Sequence, residues 1–479
     1  MTMFSVLWLT AVPAHAVRPT EGGLFSFDAS DTIATYDPAD PRIRVTFSSD
    51  GPNQVPDVDL DEDGVPDYVQ IAAEVALEAL DLYESYGFRA PLSEADVGLG
   101  PLGGSPALDL YLVDFDRQAD GHYDVDTCTG DPLVCGGYLT VENDFAGYAY
   151  STREEGLRVV VPHELFHGVQ LAYSGELPVW AAEGTAVWAE RLYDPVSWDF
   201  MRFANAYLEE PTRSVDNPPI GAVPSFAYGT GLWYDFLSLR HDPTVIDDLL
   251  GAWAGSPDLT QSMIDVISAR GDTVEDAWTG FATWNLATGG QSGGLEGYPY
   301  ADLLTPPLPE QSGQIDDDNR FYPLATTYYR LNHEGGELWF ALEEPQPDLT
   351  FAVLPTSDGG PDSPVLEPLT TFDGSDAGPF SLGDQPAGKY WIWGAQPRYG
   401  DNSIKVALCA GTAAEVDGCF ATTGTETGDT GAPLDGEDEP KGCGCASGGP
   451  APSGGLLLLL GLAVSRRTGR AAPRRTSAA

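Results

Sequence analysis

Basic residues are scarce in this chain. It has 23 Lys and Arg against 73 Asp and Glu, a formal net charge of −50 over 479 residues. So acidic a surface repels phosphate backbones, which excludes nucleic-acid binding as a default function and predicts a soluble, self-repelling exterior. Long apolar runs are also missing. The longest, Gly454 to Val464, is well short of the roughly 20 residues that a spanning helix needs. There is no internal repeat. Cysteine is sparse, six in all, with no C-x-x-C beside a histidine, so a cysteine-based metal site is not indicated. Cys128 with Cys135, and Cys409 with Cys419, each bracket a short segment and suit local disulfides in an oxidising compartment.

Histidine is scarce too, with six in the chain. Two of them fall in Val161-Pro162-His163-Glu164-Leu165-Phe166-His167, an H-E-x-x-H motif. Four residues apart on a helix, His163 and His167 share one face and can reach a single Zn²⁺. Glu164 is then placed as general base toward an activated water. Pro162 suits a first helical turn, so the motif is expected to open its helix. The bland alternative is a helix with two solvated histidines.

A catalytic zinc wants three protein ligands and one open position. Downstream lies Trp180-Ala181-Ala182-Glu183-Gly184-Thr185-Ala186. W-x-x-E-G-x-A following H-E-x-x-H resembles the gluzincin metallopeptidases, such as the aminopeptidase-like and thermolysin-like groups. That resemblance implies a zincin-like fold, a Zn²⁺ cofactor, a protein or peptide substrate and Glu183 as third ligand. Gly184 and Ala186 are expected to let the two zinc helices, within 160–192, approach closely. Glu190, two turns on, and Glu176, in the connecting loop, compete for the ligand role, and Glu190 also suits a hydrogen-bond acceptor outside the ligand set. A metzincin pattern would need Gly at 170 and His at 173, where this chain has Gln170 and Tyr173. Gluzincins often place an oxyanion donor downstream; Tyr228 is the candidate, with Tyr234 and His241 as alternatives.

A second metal motif precedes the first. Asp59, Asp61 and Asp63 hold positions 1, 3 and 5 of an EF-hand-type loop, the Val65 carbonyl position 7 and Asp67 position 9. Gln70 replaces the usual final glutamate, so a Ca²⁺ bound there is expected to be held at about 10⁻⁴ to 10⁻³ M. Asp114, Asp116, Asp120 and Asp124 form a less regular cluster, better read as a solvated loop.

Periodicity divides the rest. Arg42–Phe47, Ala107–Val113 and Tyr138–Val141 read as strands and Tyr68–Tyr86 as a helix closed by Gly87, with further helices near 228–240 and 260–270. The fold class is α+β: a peptidase domain over 17–300 with its calcium loop at 59–70. Pro306, Pro307 and Pro309 mark a linker. Beyond it, Thr327–Leu331, Leu338–Leu342, Leu349–Leu354, Tyr390–Trp393 and Ile404–Leu408 alternate as a small all-β sandwich over 318–420.

The two ends read as addresses. Phe4 to Val12 and Ala14-His15-Ala16 make a secretory signal over 1–16, though no basic segment precedes it. Residues 421–445 are an acidic Thr/Gly stalk ending in Cys443 and Cys445. The segment 446–479 joins the short apolar run to Arg466, Arg467, Arg470, Arg474 and Arg475. This order resembles the myxobacterial type of C-terminal sorting signal, and the whole order of parts is similar to a group of myxobacterial metalloproteases. It implies a sorting machinery as partner, contact with the membrane through the tail, and residence at the cell surface or outer membrane. The rival reading is a surface binding or adhesion protein on a peptidase-like scaffold that no longer turns over.

Overall fold

The computed structural model describes residues 17–420 apart from 24, 218–224, 314, 361 and 398–401. The expected signal at 1–16, the stalk with Cys443 and Cys445 and the tail to 479 lie outside the described residues. No helix among the described residues is long and apolar enough to cross a membrane.

The chain is α+β. The first part runs β1 (Ile33–Tyr36), β2 (Ile43–Ser48), α1 (Asp67–Ser85), β3 (Leu108–Val113), β4 (Gly121–Thr129) and β5 (Val134–Glu142). Eight α-helices follow among the described residues: α2 (Arg153–Leu171), α3 (Val179–Tyr193), α4 (Trp198–Glu209), α5 (Ser225–Gly229), α6 (Gly231–Arg240), α7 (Thr244–Trp253), α8 (Leu259–Ala269) and α9 (Val274–Leu286). The last part is β6 (Gln311–Gly313), β7 (Ile315–Phe321), β8 (Thr326–His333), β9 (Gly336–Leu342), β10 (Gln346–Pro355), β11 (Thr370–Gly374), β12 (Phe380–Gln385), β13 (Gly388–Ala395), β14 (Ile404–Gly411) and α10 (Ala413–Cys419).

The first sheet has the order β1-β2-β3-β5-β4. β2, β3 and β5 are parallel neighbours, with α1 as the crossover between β2 and β3. Such a crossover buries the strands it covers, and β3 is buried along its whole length. β4 returns antiparallel to β5 and forms one edge. The Cys128–Cys135 disulfide joins directly opposed residues of this hairpin. β4 was not anticipated, because its two aspartates and one histidine read as polar loop.

The other two sheets have the orders β11-β10-β13-β8-β6 and β12-β9-β14-β7. Tyr329, Leu331, Phe351, Val353, Tyr390 and Ile392 of the first meet Leu338, Phe340, Val406 and Leu408 of the second in one core. The opposite face of the first sheet is buried as well. Tyr328, Ala352, Leu354, Trp391 and Trp393 join the helical core of the amino-terminal part. Trp278 Nε1 donates to Thr326 Oγ1 at 3.0 Å, and the Tyr328 hydroxyl to the Ala282 carbonyl at 2.9 Å. The apolar run Tyr390-Trp391-Ile392-Trp393 is thus a strand buried on both faces. The proline stretch at 306–309 crosses the surface, but the parts it joins share a core. Cys409 and Cys419 pair to fasten α10 to β14.

Candidate metal centre

The motif does not open its helix. α2 begins at Arg153, and the Thr152 side chain caps it by accepting from the Glu155 N–H at 3.0 Å. Glu154 and Glu155 in the first turn complement the helix dipole. Thr152-Arg153-Glu154-Glu155 is an S/T-x-x-E start in the sequence itself, so the signal was there, beginning ten residues ahead of Pro162. Pro162 lies inside the helix, where it gives no N–H to the carbonyl one turn back. Its own carbonyl accepts the Tyr83 hydroxyl of α1 at 2.8 Å. The imidazoles follow immediately, with ring centroids 4.9 Å apart and near-perpendicular planes.

α3 crosses beside α2 and brings Glu183 between the two rings. Glu183 Oε2 is 3.4 Å from His163 Nε2 and 3.6 Å from His167 Nε2. One ligand atom from each of the three residues lies within 4.8 Å of the others. Burial alone would raise the Glu183 carboxyl, but the His163 and His167 rings beside it, when protonated, outweigh that and bring its pKa down to about 2.

Gly184 does not serve the α2–α3 contact that the sequence suggested. A Cβ there would lie 2.2 Å from Thr230 Oγ1 and 2.7 Å from the Tyr234 ring, so its missing side chain admits α6 instead. The α2–α3 contact is made instead by Glu183 and Glu190 on the imidazoles, by Gln170 on Ala182 and Thr185, and by Phe166 against Trp188 at 5.6 Å.

Each imidazole is held from behind. His163 Nδ1 is 2.7 Å from Glu190 Oε1, and Ser197 Oγ donates to Glu190 Oε2 at 3.3 Å. Glu190 therefore orients His163 from the Nδ1 side, away from the three-atom cluster. His167 Nδ1 is 2.9 Å from Gln170 Oε1. Gln170 was read only as a mismatch to another pattern; its place three residues after His167, on the same helical face, was the available signal. Glu176 is exposed in the α2–α3 loop.

Glu164 is 7% exposed. Burial raises its pKa, and the His167, His163 and His122 imidazoles partly offset that. β4 lies directly against it. A Cβ at Gly121 would come 2.3 Å from Val160 Cγ1 and 2.8 Å from Glu164 Cγ, so only glycine lets this strand approach. His122 on β4 was not anticipated. Its Nδ1 is 3.3 Å from Asp124 Oδ1; burial opposes its charge, but Asp124, Glu164 and Glu183 outweigh it and raise its pKa. Asp120, just before β4, accepts from the Tyr150 hydroxyl at 2.7 Å. Part of the irregular acidic cluster therefore borders this site.

Tyr228 stacks on Phe203 at 4.6 Å, and its ring centroid is 6.0 Å from that of His163. Its hydroxyl is buried and meets no hydrogen-bond partner of good geometry among the described residues. Burial, then the Glu183 and Glu164 charges, push its pKa well above the ordinary value. Tyr234 stacks on Trp180 in the helical core, and His241 pairs with Asp272 at 3.4 Å at the end of α6.

The acidic loop before α1 forms a second cluster. Asp59, Asp61 and Asp67 each place an oxygen within 4.8 Å of the others. Asp59 Oδ2 accepts from the Gly64 N–H at 2.9 Å, and Asp67 Oδ1 from the Leu60 N–H at 3.0 Å. Asp59 Oδ1 is buried without a partner among the described residues. Asp63 turns aside and accepts from Val65 N–H at 2.9 Å and from Gln70 Nε2 at 3.0 Å. An all-oxygen set of this kind fits a hard cation.

No protein-family model matches the chain, and no curated protein matches it. The geometry and the sequence motifs carry the functional argument alone.

Proposed function

We propose that this chain is a zinc-dependent peptidase of gluzincin-like, zincin-fold type, secreted and held at the cell surface. One observation carries the reading. His163 and His167 each commit Nδ1 to an acceptor and turn Nε2 toward the same carboxylate oxygen of Glu183. With both imidazoles neutral and protonated at Nδ1, three acceptor atoms face one another in a buried space and repel unless a cation lies among them. Two imidazoles and a carboxylate are the donor set of a catalytic zinc with one position left open.

Zinc held by His163, His167 and Glu183 would supply Lewis-acid polarisation of a water and of the scissile carbonyl. Glu164 takes the proton of the attacking water and passes it to the leaving amine; its burial brings it closer to the proton affinity such a shuttle needs. Tyr228 lies beside His163 with its hydroxyl close enough to feel the Glu183 and Glu164 charges and with no well-formed hydrogen bond among the described residues, which suits the developing oxyanion. β4, an edge strand among the described residues, offers free backbone groups along the site, which suits an extended peptide. Ca²⁺ in the Asp59, Asp61 and Asp67 cluster is structural in this reading.

The test is metal content and peptide hydrolysis of the purified protein. Close to one zinc per chain is expected at this centre, lost on His163→Ala with His167→Ala. Glu164→Gln should keep the zinc and lose at least ~10²-fold in turnover. Full zinc in the double histidine variant would refute the site. Zinc binding with no hydrolysis of any peptide or protein would favour a surface binding protein on the same scaffold.

A further inference from the structure

Gln170 has three partners, and their chemistry fixes which way each group points. One end of its amide lies 2.7 Å from the Ala182 carbonyl oxygen and 2.8 Å from Thr185 Oγ1. A carbonyl oxygen only accepts, so that end is the NH₂ group. Thr185 spends its own proton on the Ala181 carbonyl at 2.8 Å, which leaves its oxygen free to accept. The other end of Gln170 is therefore the oxygen, and it faces His167 Nδ1 at 2.9 Å. An oxygen there requires Nδ1 to carry the proton.

We propose that Gln170 is a positioning residue that locks His167 in the Nδ1–H tautomer, turns its Nε2 lone pair to the Glu183 oxygen and ties this ring to the turn of α3 that bears Glu183. The second half follows from sequence position: Ala182 and Thr185 flank Glu183. One side chain thus sets the orientation of a ligand on α2 and the distance to the ligand on α3. The amide is matched to this task. A carboxylate at 170 would face the Ala182 carbonyl with no proton to give and would add a buried negative charge to the α3 turn that bears Glu183. The metal part of the inference rests on the zinc reading; the tautomer part does not.

The experiment uses the full chain with ¹⁵N-labelled histidine. At about pH 9, where an ordinary imidazole is neutral, two-bond ¹H–¹⁵N couplings of the metal-free protein report the tautomer. His167 is expected as Nδ1–H; an Nε2–H pattern in the wild type overturns the proposal, whatever the variants do. Gln170→Met fills similar space without an acceptor. It is expected to lose the tautomer preference and to raise the zinc dissociation constant about 10- to 100-fold, measured by chelator competition. Gln170→Glu separates the two possible roles. If 170 matters only for packing, a buried charge is worse than Met; if it matters as an acceptor for Nδ1–H, Glu restores the tautomer and zinc affinity above the Met variant. Met at or above Glu in both readouts overturns the proposal. Failure of the zinc reading is visible separately, as a wild type that takes up no zinc while His167 still shows Nδ1–H.

Discussion

Tyr228 puts a hydroxyl beside the Glu183 charge where, among the described residues, it makes no hydrogen bond of good geometry, a position that costs about 1–3 kcal/mol. A residue kept at such a cost is either useful or poorly placed, and Tyr228→Phe separates the two. Removing the hydroxyl should leave the melting temperature unchanged or slightly raised, because the Phe203 stack remains. If the hydroxyl serves the oxyanion, kcat should fall about 10²-fold or more with zinc content unchanged. Equal turnover in the variant would leave Tyr228 as a core aromatic. Glu190 poses the complementary question. Glu190→Gln keeps a group that can accept from His163 Nδ1 but removes a buried negative charge, so it should weaken zinc less than Glu190→Ala, which leaves Nδ1 unpaired. Equal zinc affinity in the two variants would mean that Glu190 does not orient the ring. At this scale much was legible in the sequence. The identities of His163, Glu164, His167 and Glu183 sit in short-range patterns whose geometry a helix dictates. The groups behind the imidazoles were not, because Gln170 and Glu190 acquire their roles only when α2 and α3 are laid side by side.

At the scale of elements, α1 connects the two clusters. It starts at Asp67, a member of the acidic loop, and ends near Tyr83, whose hydroxyl holds the Pro162 carbonyl beside His163. Tyr83 also meets Phe166 edge-on at 5.2 Å, inside the H-E-x-x-H turn. Ca²⁺ at the loop should therefore stabilise α2 as well as its own surroundings. Millimolar Ca²⁺ is expected to raise the melting temperature, and Asp59→Asn with Asp61→Asn to abolish the response. A full response in that double variant would place the cation elsewhere. The same helix shows where element reading succeeds. Tyr68–Tyr86 was visible because one face is consistently apolar and Gly87 follows. α2 was misplaced at its start because Pro162 is a strong local cue, and tertiary contacts to α1 let it sit mid-helix. β4 was missed for another reason: Tyr123 and Val125 alternate with His122, Asp124 and Asp126, but the run was absorbed into the reading of the acidic cluster as a solvated loop. Gly184 was noticed but assigned to the wrong neighbour, since one sequence cannot say which helix approaches it.

Over the whole molecule, excess negative charge and buried carboxyls act in one direction. Glu142 is 2% exposed, accepts from the Phe115 N–H at 3.0 Å and from the Tyr148 hydroxyl at 2.9 Å, and burial raises its pKa to about 7. Asp109, at the buried Arg18 cluster, is raised by burial to about 6 despite that guanidinium. A carboxyl whose folded pKa exceeds its unfolded value favours the native state most when protonated. Its contribution is present in full below the unfolded pKa and is lost as pH rises through the folded one. Carboxylates held low by arginine, such as Asp37 and Asp40, act at more acid pH and do not oppose this between pH 5 and 8. The formal net charge of −50 adds self-repulsion of the same sign. Stability should therefore fall as pH is raised from about 5 to about 8, at fixed ionic strength, zinc and calcium. Glu142→Gln keeps the hydrogen-bonding shape and cannot ionise, so it should remove about 2–3 kcal/mol of that fall, measured as denaturant unfolding free energy at both pH values. A variant with the wild-type slope would mean that Glu142 is no more protonated in the fold than in the unfolded chain.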